Sequence, residues 1–121
     1  MSQILIIDDD EQIQEMLQQI FEQEGFDVAV ASDGRAGIRL HRKKPADLVI
    51  TDIIMPDQEG IETIQKFREE FPDVRIIAMS GGGIVGPSSY LRLAKKFGAM
   101  HTFTKPIDMK DLLDVVRKSL A

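Results

Sequence analysis

The chain has 121 residues, of which 43% are hydrophobic and 29% charged, so a single globular domain spanning residues 1–121 is expected. Its 15 Lys+Arg and 20 Asp+Glu give a net charge of −5, which argues against nucleic-acid binding by bulk charge. The absence of cysteine excludes disulfides and thiolate chemistry and fits a cytoplasmic protein. No apolar run approaches the roughly 18 residues of a membrane span, and no signal peptide is evident.

Short apolar runs alternate with amphipathic stretches along the whole chain. Gly25, Pro45, Pro72 and Gly98 separate these stretches as turn or stop residues. In chain order the pattern predicts a strand at 4–7, a helix around 13–21, a strand at 28–31, a helix at 35–44, a strand at 48–50, a helix at 61–71, a strand at 74–79, a helix around 90–97, a strand at 101–104 and a helix at 109–120.

Five successive strand–helix units predict an α/β fold with a parallel sheet and helices on both of its faces. The first, third and fourth strands are continuous apolar runs, which is typical of strands covered on both faces. The second strand is weak and the fifth alternates polar with apolar residues, so both are expected at the edges. Sheet order 2-1-3-4-5 satisfies these constraints, which gives a flavodoxin-like doubly wound (βα)5 fold.

Chemistry-bearing residues follow four of the predicted strands. Asp8 and Asp9 follow the first strand, Asp52 the third, Ser80 the fourth and Lys105 the fifth. Because ligands bind beyond the carboxyl ends of such strands, we expect these groups to form one pocket. Clustered carboxylates repel one another, and Mg²⁺ with its oxygen ligands relieves that repulsion. A carboxylate there can act as a nucleophile and form an acyl phosphate.

These residues resemble the receiver domain of two-component response regulators, and the resemblance covers about residues 4–120. Each motif alone is weak, but the four together, in this order and at strand ends, are highly specific. The matching motifs are Ile6-Ile7-Asp8-Asp9-Asp10-Glu11, Asp52-Ile53-Ile54-Met55-Pro56, Ser80 after an apolar strand, and Lys105-Pro106.

The resemblance implies a phosphorylation-activated signalling switch rather than an enzyme. Asp52 would accept a phosphoryl group from a sensor histidine kinase or a phosphotransfer protein. Asp9, Asp52 and the backbone carbonyl of Ile54 would hold Mg²⁺, and Asp8 would act mostly through water. Slow self-catalysed loss of the phosphate is also implied.

The resemblance also assigns roles to the groups that would face the phosphoryl oxygens. Ser80 would move toward the phosphoryl group and Lys105 would pair with it. The Lys105-Pro106 bond is expected to be cis.

With no residues left for an output domain, we expect the switch to act by binding a downstream protein partner or by shuttling phosphate. The expected surface comprises the fourth predicted helix, the fifth strand and the last helix, and Ser88, Ser89 and Tyr90 are candidate contributors.

Two features depart from the common receiver pattern, and a third position bears on the lifetime of the phosphate. Thr102 stands where many receivers carry an aromatic switch residue, and the neighbouring Phe103 should point to the other face of its strand. The loop at residues 81–87 is rich in glycine, which permits unusual backbone conformations, so we expect it to be mobile without phosphate. Ile54, two residues after the acceptor, cannot hold an attacking water by a hydrogen bond, which predicts a fairly long-lived phosphorylated form.

The main alternative is a phosphohydrolase similar to the haloacid dehalogenases. Asp8-x-Asp10 resembles the first motif of that family, and Asp8 would be its nucleophile. Gln12 stands where that family has Thr or Val, the chain is short for it, and the motif after Asp52 would be unexplained. A receiver that never accepts phosphate is a third possibility, although its acidic residues are all present.

Other patterns have simpler explanations. Asp10 is expected to cap the first helix, and it is assigned no chemistry. The Gly81, Gly83 and Gly86 pattern matches a dinucleotide-binding motif, but it follows the fourth strand instead of opening the first strand–helix unit. His41 lies in the sequence near basic residues, so a solvated helix face is expected for it.

Overall fold

The computed structural model describes residues 2–53, 59–80, 92 and 94–120. Five strands form one parallel sheet of order β2-β1-β3-β4-β5, as predicted. Residue 92 and residues 94–96 are helical and lie between β4 and β5. The elements are β1 (Gln3–Ile7), α1 (Glu11–Gln23), β2 (Asp27–Ala31), α2 (Gly34–Lys43), β3 (Leu48–Asp52), α3 (Glu59–Glu70), β4 (Arg75–Ser80), β5 (His101–Thr104) and the C-terminal helix (Met109–Leu120).

The sheet separates two apolar clusters, and alternate residues of each central strand enter opposite ones. Leu5 and Ile7 of β1 belong to the cluster under α2 and α3, whereas Ile4 and Ile6 belong to the cluster under α1 and the C-terminal helix. All four are at most 1% exposed. Because both faces are covered, β1 has no polar side, which explains its continuous apolar sequence.

The helix boundaries follow local capping chemistry. The Asp10 carboxylate accepts hydrogen bonds from the backbone N–H groups of Gln12 at 2.9 Å and Ile13 at 3.4 Å, which confirms it as the N-cap of α1. Asp33 caps α2 in the same way through the N–H of Ala36. Gly25, with φ at 93°, occupies the left-handed region just after α1.

The edge strand β5 presents Thr102 and Phe103 to opposite faces, as predicted. Phe103 packs on the cluster under α1 and the C-terminal helix. Thr102 pairs with Ala78 of β4, whose side chain belongs to the other cluster. The residue in the switch position is therefore a small, half-buried threonine on the face of the sheet that α2 and α3 cover.

His41 corrects one prediction, because it is buried rather than solvated. Its side chain lies between α2 and α3 with only 3% exposure, and its ring meets those of Phe67 and Phe71 edge to face, at 5.3 and 4.4 Å between centroids. Its Nδ1 accepts the backbone N–H of Ala46 at 3.0 Å. Burial lowers the pKa of His41. Its basic neighbours in sequence, Arg39, Arg42 and Lys43, are exposed.

Candidate functional site

The strand register brings the predicted site residues to one edge of the sheet. Ile7 pairs with Thr51, so Asp8 and Asp52 follow side by side at the ends of β1 and β3. Ser80 pairs with Thr104, so Lys105 emerges next to the end of β4. The backbone N–H of Lys105 donates to the carbonyl of Ser80 at 2.7 Å, which closes this edge.

Lys105 joins the two buried carboxylates of this edge. Its Nζ atom lies 2.9 Å from Asp8 Oδ2 and 3.0 Å from Asp52 Oδ2. The residue exposures of Asp8 and Asp52 are 0% and 4%, while the lysine side chain keeps 19% of its surface exposed. One ammonium therefore serves two buried acids and still reaches solvent. The peptide bond between Lys105 and Pro106 is cis, as the resemblance implied.

The protonation of Lys105 reflects two opposing effects. Burial acts to lower the pKa of its amine, but the hydrogen bonds and charges of Asp8 and Asp52 outweigh burial and raise the pKa above its ordinary value. The amine is therefore a firmly charged ammonium across the physiological range. A fixed positive charge at this point can pair with carboxylate or phosphoryl oxygens.

Asp8 is held through both its carboxylate and its backbone. Its Oδ1 accepts the backbone N–H of Asp10 at 2.9 Å, while its Oδ2 faces Lys105. Its own backbone N–H donates to the carbonyl of Ala31 at 3.1 Å. These bonds fix both the carboxylate and the backbone of Asp8.

Gln14 is a site residue that sequence reasoning missed. Its side chain is buried with 9% exposure, and its Nε2 donates to the backbone carbonyl of Asp8. The same amide lies 3.2 Å from Ser32 Oγ and 3.4 Å from the carbonyl of Ala31. Gln14 thus ties the turn that carries Asp8 to the turn after β2. The sequence could not distinguish Gln14 as a site residue, because α1 contains several glutamines and only their positions in the folded structure differ.

Three carboxylates at this edge can hold a metal ion. Asp8, Asp9 and Asp52 each offer one oxygen, and these oxygens lie within 4.8 Å of one another. Asp9 is exposed, so the cluster opens to solvent on its side. With Lys105, the pocket carries two more negative than positive charges, which suits a divalent cation with oxygen ligands. The donor set therefore fits Mg²⁺, the metal predicted from the sequence.

Of the two other predicted site residues, Ser80 lies within the described residues and Ile54 does not. Ser80 ends β4 and is completely buried, next to the backbone of Lys105. Ile54, whose carbonyl was predicted as a metal ligand, lies outside the described residues, as do residues 81–87 of the glycine-rich loop.

The competing phosphohydrolase interpretation gains little from this geometry. It needs Asp10 as a second functional acid, but the Asp10 carboxylate caps α1 and Asp10 is exposed. Asp8, its candidate nucleophile, is completely buried and committed to Lys105 and a backbone N–H.

A parallel sheet of this order with an acid–lysine pocket at its carboxyl edge defines a class of phosphorylation-dependent receivers. The family model "Response regulator receiver domain" matches residues 4–117, and the chain belongs to that family. It is a receiver domain of two-component signalling, homologous to receivers that act through phosphorylation. Receiver domains are signalling modules that interact with histidine kinases or phosphotransfer proteins and with downstream partners.

Curated relatives include both short and long proteins. The chain is 31% identical over 117 residues to sporulation initiation phosphotransferase F of Bacillus subtilis, covering 97% of this chain and 92% of that protein. It is 30% identical to the chemotaxis protein CheY of Halobacterium salinarum, covering 94% and 92%. It is 33% identical to the regulator NtrC of Azospirillum brasilense, but spans only 24% of that protein.

Solved structures agree with this assignment. A response regulator receiver domain protein from Clostridium thermocellum superimposes with a TM-score of 0.89 at 28% identity, covering 98% of this chain and 94% of the other. A CheY-like receiver domain protein from Methanospirillum hungatei gives a TM-score of 0.89 at 29% identity, covering 99% and 94%. Within the part of the chain that the structure describes, no helix is long and apolar enough to cross a membrane.

Proposed function

We propose that Asp52 is the phospho-acceptor of this receiver, and that its donor is a phosphohistidine of a sensor kinase or a phosphotransfer protein. The observation that carries the proposal is the position of Lys105 Nζ, 2.9 Å from Asp8 and 3.0 Å from Asp52. This contact places an acid, a second acid and a fixed cation at one edge, where phosphoryl transfer needs them.

In the transfer step a carboxylate oxygen of Asp52 attacks the phosphorus atom. A new oxygen–phosphorus bond forms, the nitrogen–phosphorus bond to histidine breaks, and the histidine nitrogen leaves with the electron pair and takes up a proton. The product is an acyl phosphate on Asp52. The attached phosphoryl group carries about −1.5 to −2 charge where a single carboxylate stood.

Asp9, Asp52 and the backbone carbonyl of Ile54 would hold Mg²⁺ directly, and Asp8 would act mostly through water. Bound there, the ion supplies charge neutralisation for the phosphoryl oxygens. Burial of Asp8 and Asp52, at 0% and 4% exposure, makes that neutralisation valuable because water screens these charges poorly.

Lys105 and Ser80 recognise the attached group. The Lys105 ammonium, already held at this edge by two carboxylates, exchanges one carboxylate for a phosphoryl oxygen. The Ser80 hydroxyl moves toward another oxygen. Chain segments that move together with these two residues convert the added charge into a change in the shape of the protein surface. Thr102, in place of an aromatic side chain, makes this coupling different from receivers that rotate a ring.

The output is a protein–protein interaction. Residues 1–121 would form one receiver domain in the cytoplasm and would act as a switch rather than as an enzyme. Its target would be a downstream protein partner and not nucleic acid or a membrane. The candidate surface includes β5 and the C-terminal helix. Ser88, Ser89 and Tyr90, which were also predicted there, lie outside the described residues.

The test is to incubate the protein with acetyl phosphate and Mg²⁺ and to map the modified residue by mass spectrometry after borohydride trapping. Label on Asp52 is expected, and Asp52→Asn should abolish it. The matched control, Asp73→Asn, changes an exposed acid in a turn and should leave labelling intact. Label on Asp8 with rapid turnover would instead support the phosphohydrolase. Failure of any residue to be labelled, in a folded protein that binds Mg²⁺, would support a receiver that does not accept phosphate.

A further inference from the structure

Helix α2 concentrates positive charge on an otherwise acidic protein. Residues 34–44 hold five of the chain's 15 Lys+Arg and none of its 20 Asp+Glu, so the rest of the chain has ten basic residues against twenty acidic ones. All five basic residues are exposed. Among the described residues only one of them, Arg42, has an ion-pair partner, Glu70 of α3.

Three of the four cations without an ion-pair partner among the described residues lie on one face of α2. Arg35, Arg39 and Lys43 are spaced four residues apart, so they stand above one another along the helix. Like charges at this spacing repel, and Arg35 also stands in the first turn, where the helix dipole disfavours a cation. An acidic partner on this face would relieve the repulsion among Arg35, Arg39 and Lys43.

An apolar notch opens beside this basic face. It has a volume of about 130 Å³, and Leu5, Ala29 and Leu40 supply its apolar wall. Leu40 is one of the large hydrophobic residues left exposed, at 37%. A cavity of about 150 Å³ holds a molecule of benzene, so the notch accepts one aliphatic side chain of an incoming segment.

A buried acceptor without a partner lies at the same notch. Gln3 lines it with 9% exposure, and its Oε1 has no hydrogen-bond partner among the described residues. A buried carbonyl oxygen left unpaired is costly, and only an N–H or O–H donor satisfies it.

We propose that the α2 surface, formed by Arg35, Arg39, Leu40, Lys43 and Lys44 with the notch beside it, binds an acidic protein segment that inserts one apolar side chain. The charge distribution favours this occupant over an extended polyanion. A membrane or a duplex would approach the acidic remainder of the chain as well as α2 and be repelled by it, while a short segment fits the basic face alone.

This surface is separate from the phosphoryl site. Gln3 opens β1 and Asp8 follows its end, so the notch and the acid pocket lie at opposite ends of the same strand. The inference therefore does not depend on the identity of the phospho-acceptor, and the two can fail independently.

The test titrates the isotope-labelled, unphosphorylated protein with a short synthetic peptide that is rich in glutamate and carries one central leucine. Amide chemical shifts are expected to change on α2 and at the start of β1. Replacing the leucine by serine should weaken binding about tenfold, because a buried leucine side chain contributes at least that much. High salt should weaken binding by a similar factor.

Two double variants with the same change of net charge separate a specific surface from bulk charge. Arg39→Glu with Lys43→Glu should weaken peptide binding about tenfold or more, since it reverses the centre of the face. Lys110→Glu with Lys118→Glu, on exposed positions of the C-terminal helix, should change it less than about twofold. Dispersed amide spectra show that each variant is folded.

Several results would overturn the proposal. Shift changes away from α2, or equal losses for both double variants, would reduce the effect to bulk charge. Tighter binding of duplex DNA, or of vesicles containing phosphatidylserine, would replace the occupant with a polyanion. Concentration-dependent dimerisation that Arg39→Glu with Lys43→Glu abolishes would make a second copy of the chain the occupant.

Discussion

The two ends of the same sheet are built on opposite principles. At the carboxyl end, Asp8, Asp52 and Lys105 keep charges buried or half-buried and rely on one another for compensation. At the amino end, His41 is buried in an uncharged hydrogen bond and two aromatic contacts, and the charges stay outside on the surface of α2. Buried charges that must neutralise one another, which is costly for the stability of the fold, therefore occur at the carboxyl end, where the proposed phosphoryl chemistry requires them.

The largest expected effect comes from removing the cation of the carboxyl end. Lys105→Met leaves two buried carboxylates facing each other, and we expect a loss of about 2 kcal/mol in the free energy of unfolding. The loss is below the about 3–5 kcal/mol of a fully buried pair because the lysine side chain is 19% exposed. Urea denaturation without Mg²⁺ measures it.

Two further variants test the origin of that loss. Adding Asp52→Asn to Lys105→Met should restore part of the stability, since one of the opposed charges is gone. Lys118→Met changes an exposed lysine and should cost little. Equal losses for Lys105→Met and Lys118→Met would show that the carboxyl end holds no special electrostatic strain.

A smaller effect is expected from the residue that braces the acid pocket. Gln14→Met keeps the length of the side chain but removes the donor to the Asp8 carbonyl. We expect Mg²⁺ affinity to fall about tenfold, in the range for residues that orient metal ligands. Calorimetric titration with Mg²⁺ measures it, and the exposed Gln19→Met is the control. An unchanged affinity in Gln14→Met would mean that the other bonds of Asp8 suffice.

The lifetime of the phosphorylated form tests the residue beside the acceptor. Ile54→Asn introduces a group that can hold an attacking water, so we expect the acyl phosphate to hydrolyse about threefold faster, the worth of one hydrogen bond. Ile54→Ala introduces none and should leave the lifetime unchanged. A lifetime shortened by Ile54→Ala but not by Ile54→Asn would contradict this explanation.

The smallest effect concerns the amino end and is a dependence on pH. Burial lowers the pKa of His41, so the unfolded chain binds this proton more readily than the folded one. Stability should therefore fall as pH drops below the unfolded value of about 6.5 toward the lowered folded value. Thermal unfolding of His41→Gln should show less of this fall than the parent protein. His101→Gln, at the exposed histidine, should retain it, and the reverse result would remove His41 as the cause.

The sequence predicted the sheet order because burial on both faces leaves a visible trace. β1, β3 and β4 contain buried apolar runs at 4–7, 48–50 and 76–79. The edge strand β2 has smaller, partly exposed residues, and β5 alternates polar with apolar residues. The convergence of Asp8, Asp52 and Lys105 followed from that order alone, since the carboxyl ends of parallel strands share an edge.

The rest could not be predicted, because it depends on which side of a helix faces which neighbour. His41 has basic neighbours in sequence, yet its own face of α2 turns toward Phe67 of α3 and Phe71, which follows that helix. Gln14 is one of several glutamines in α1, and its partners are the Asp8 carbonyl at the end of β1 and the Ala31 carbonyl and Ser32 hydroxyl at the end of β2. Both cases are contacts between elements that local periodicity does not encode.

The contact between Lys105 and Asp8 spans 97 positions of the chain. A ribosome makes the acids first and the ammonium near the end, after four of the five strands have been synthesised. A nascent polypeptide that has not yet added β5 lacks the cation of its own pocket. The pocket is therefore complete only after the last strand and Lys105 have been synthesised, and a partly synthesised chain cannot form it.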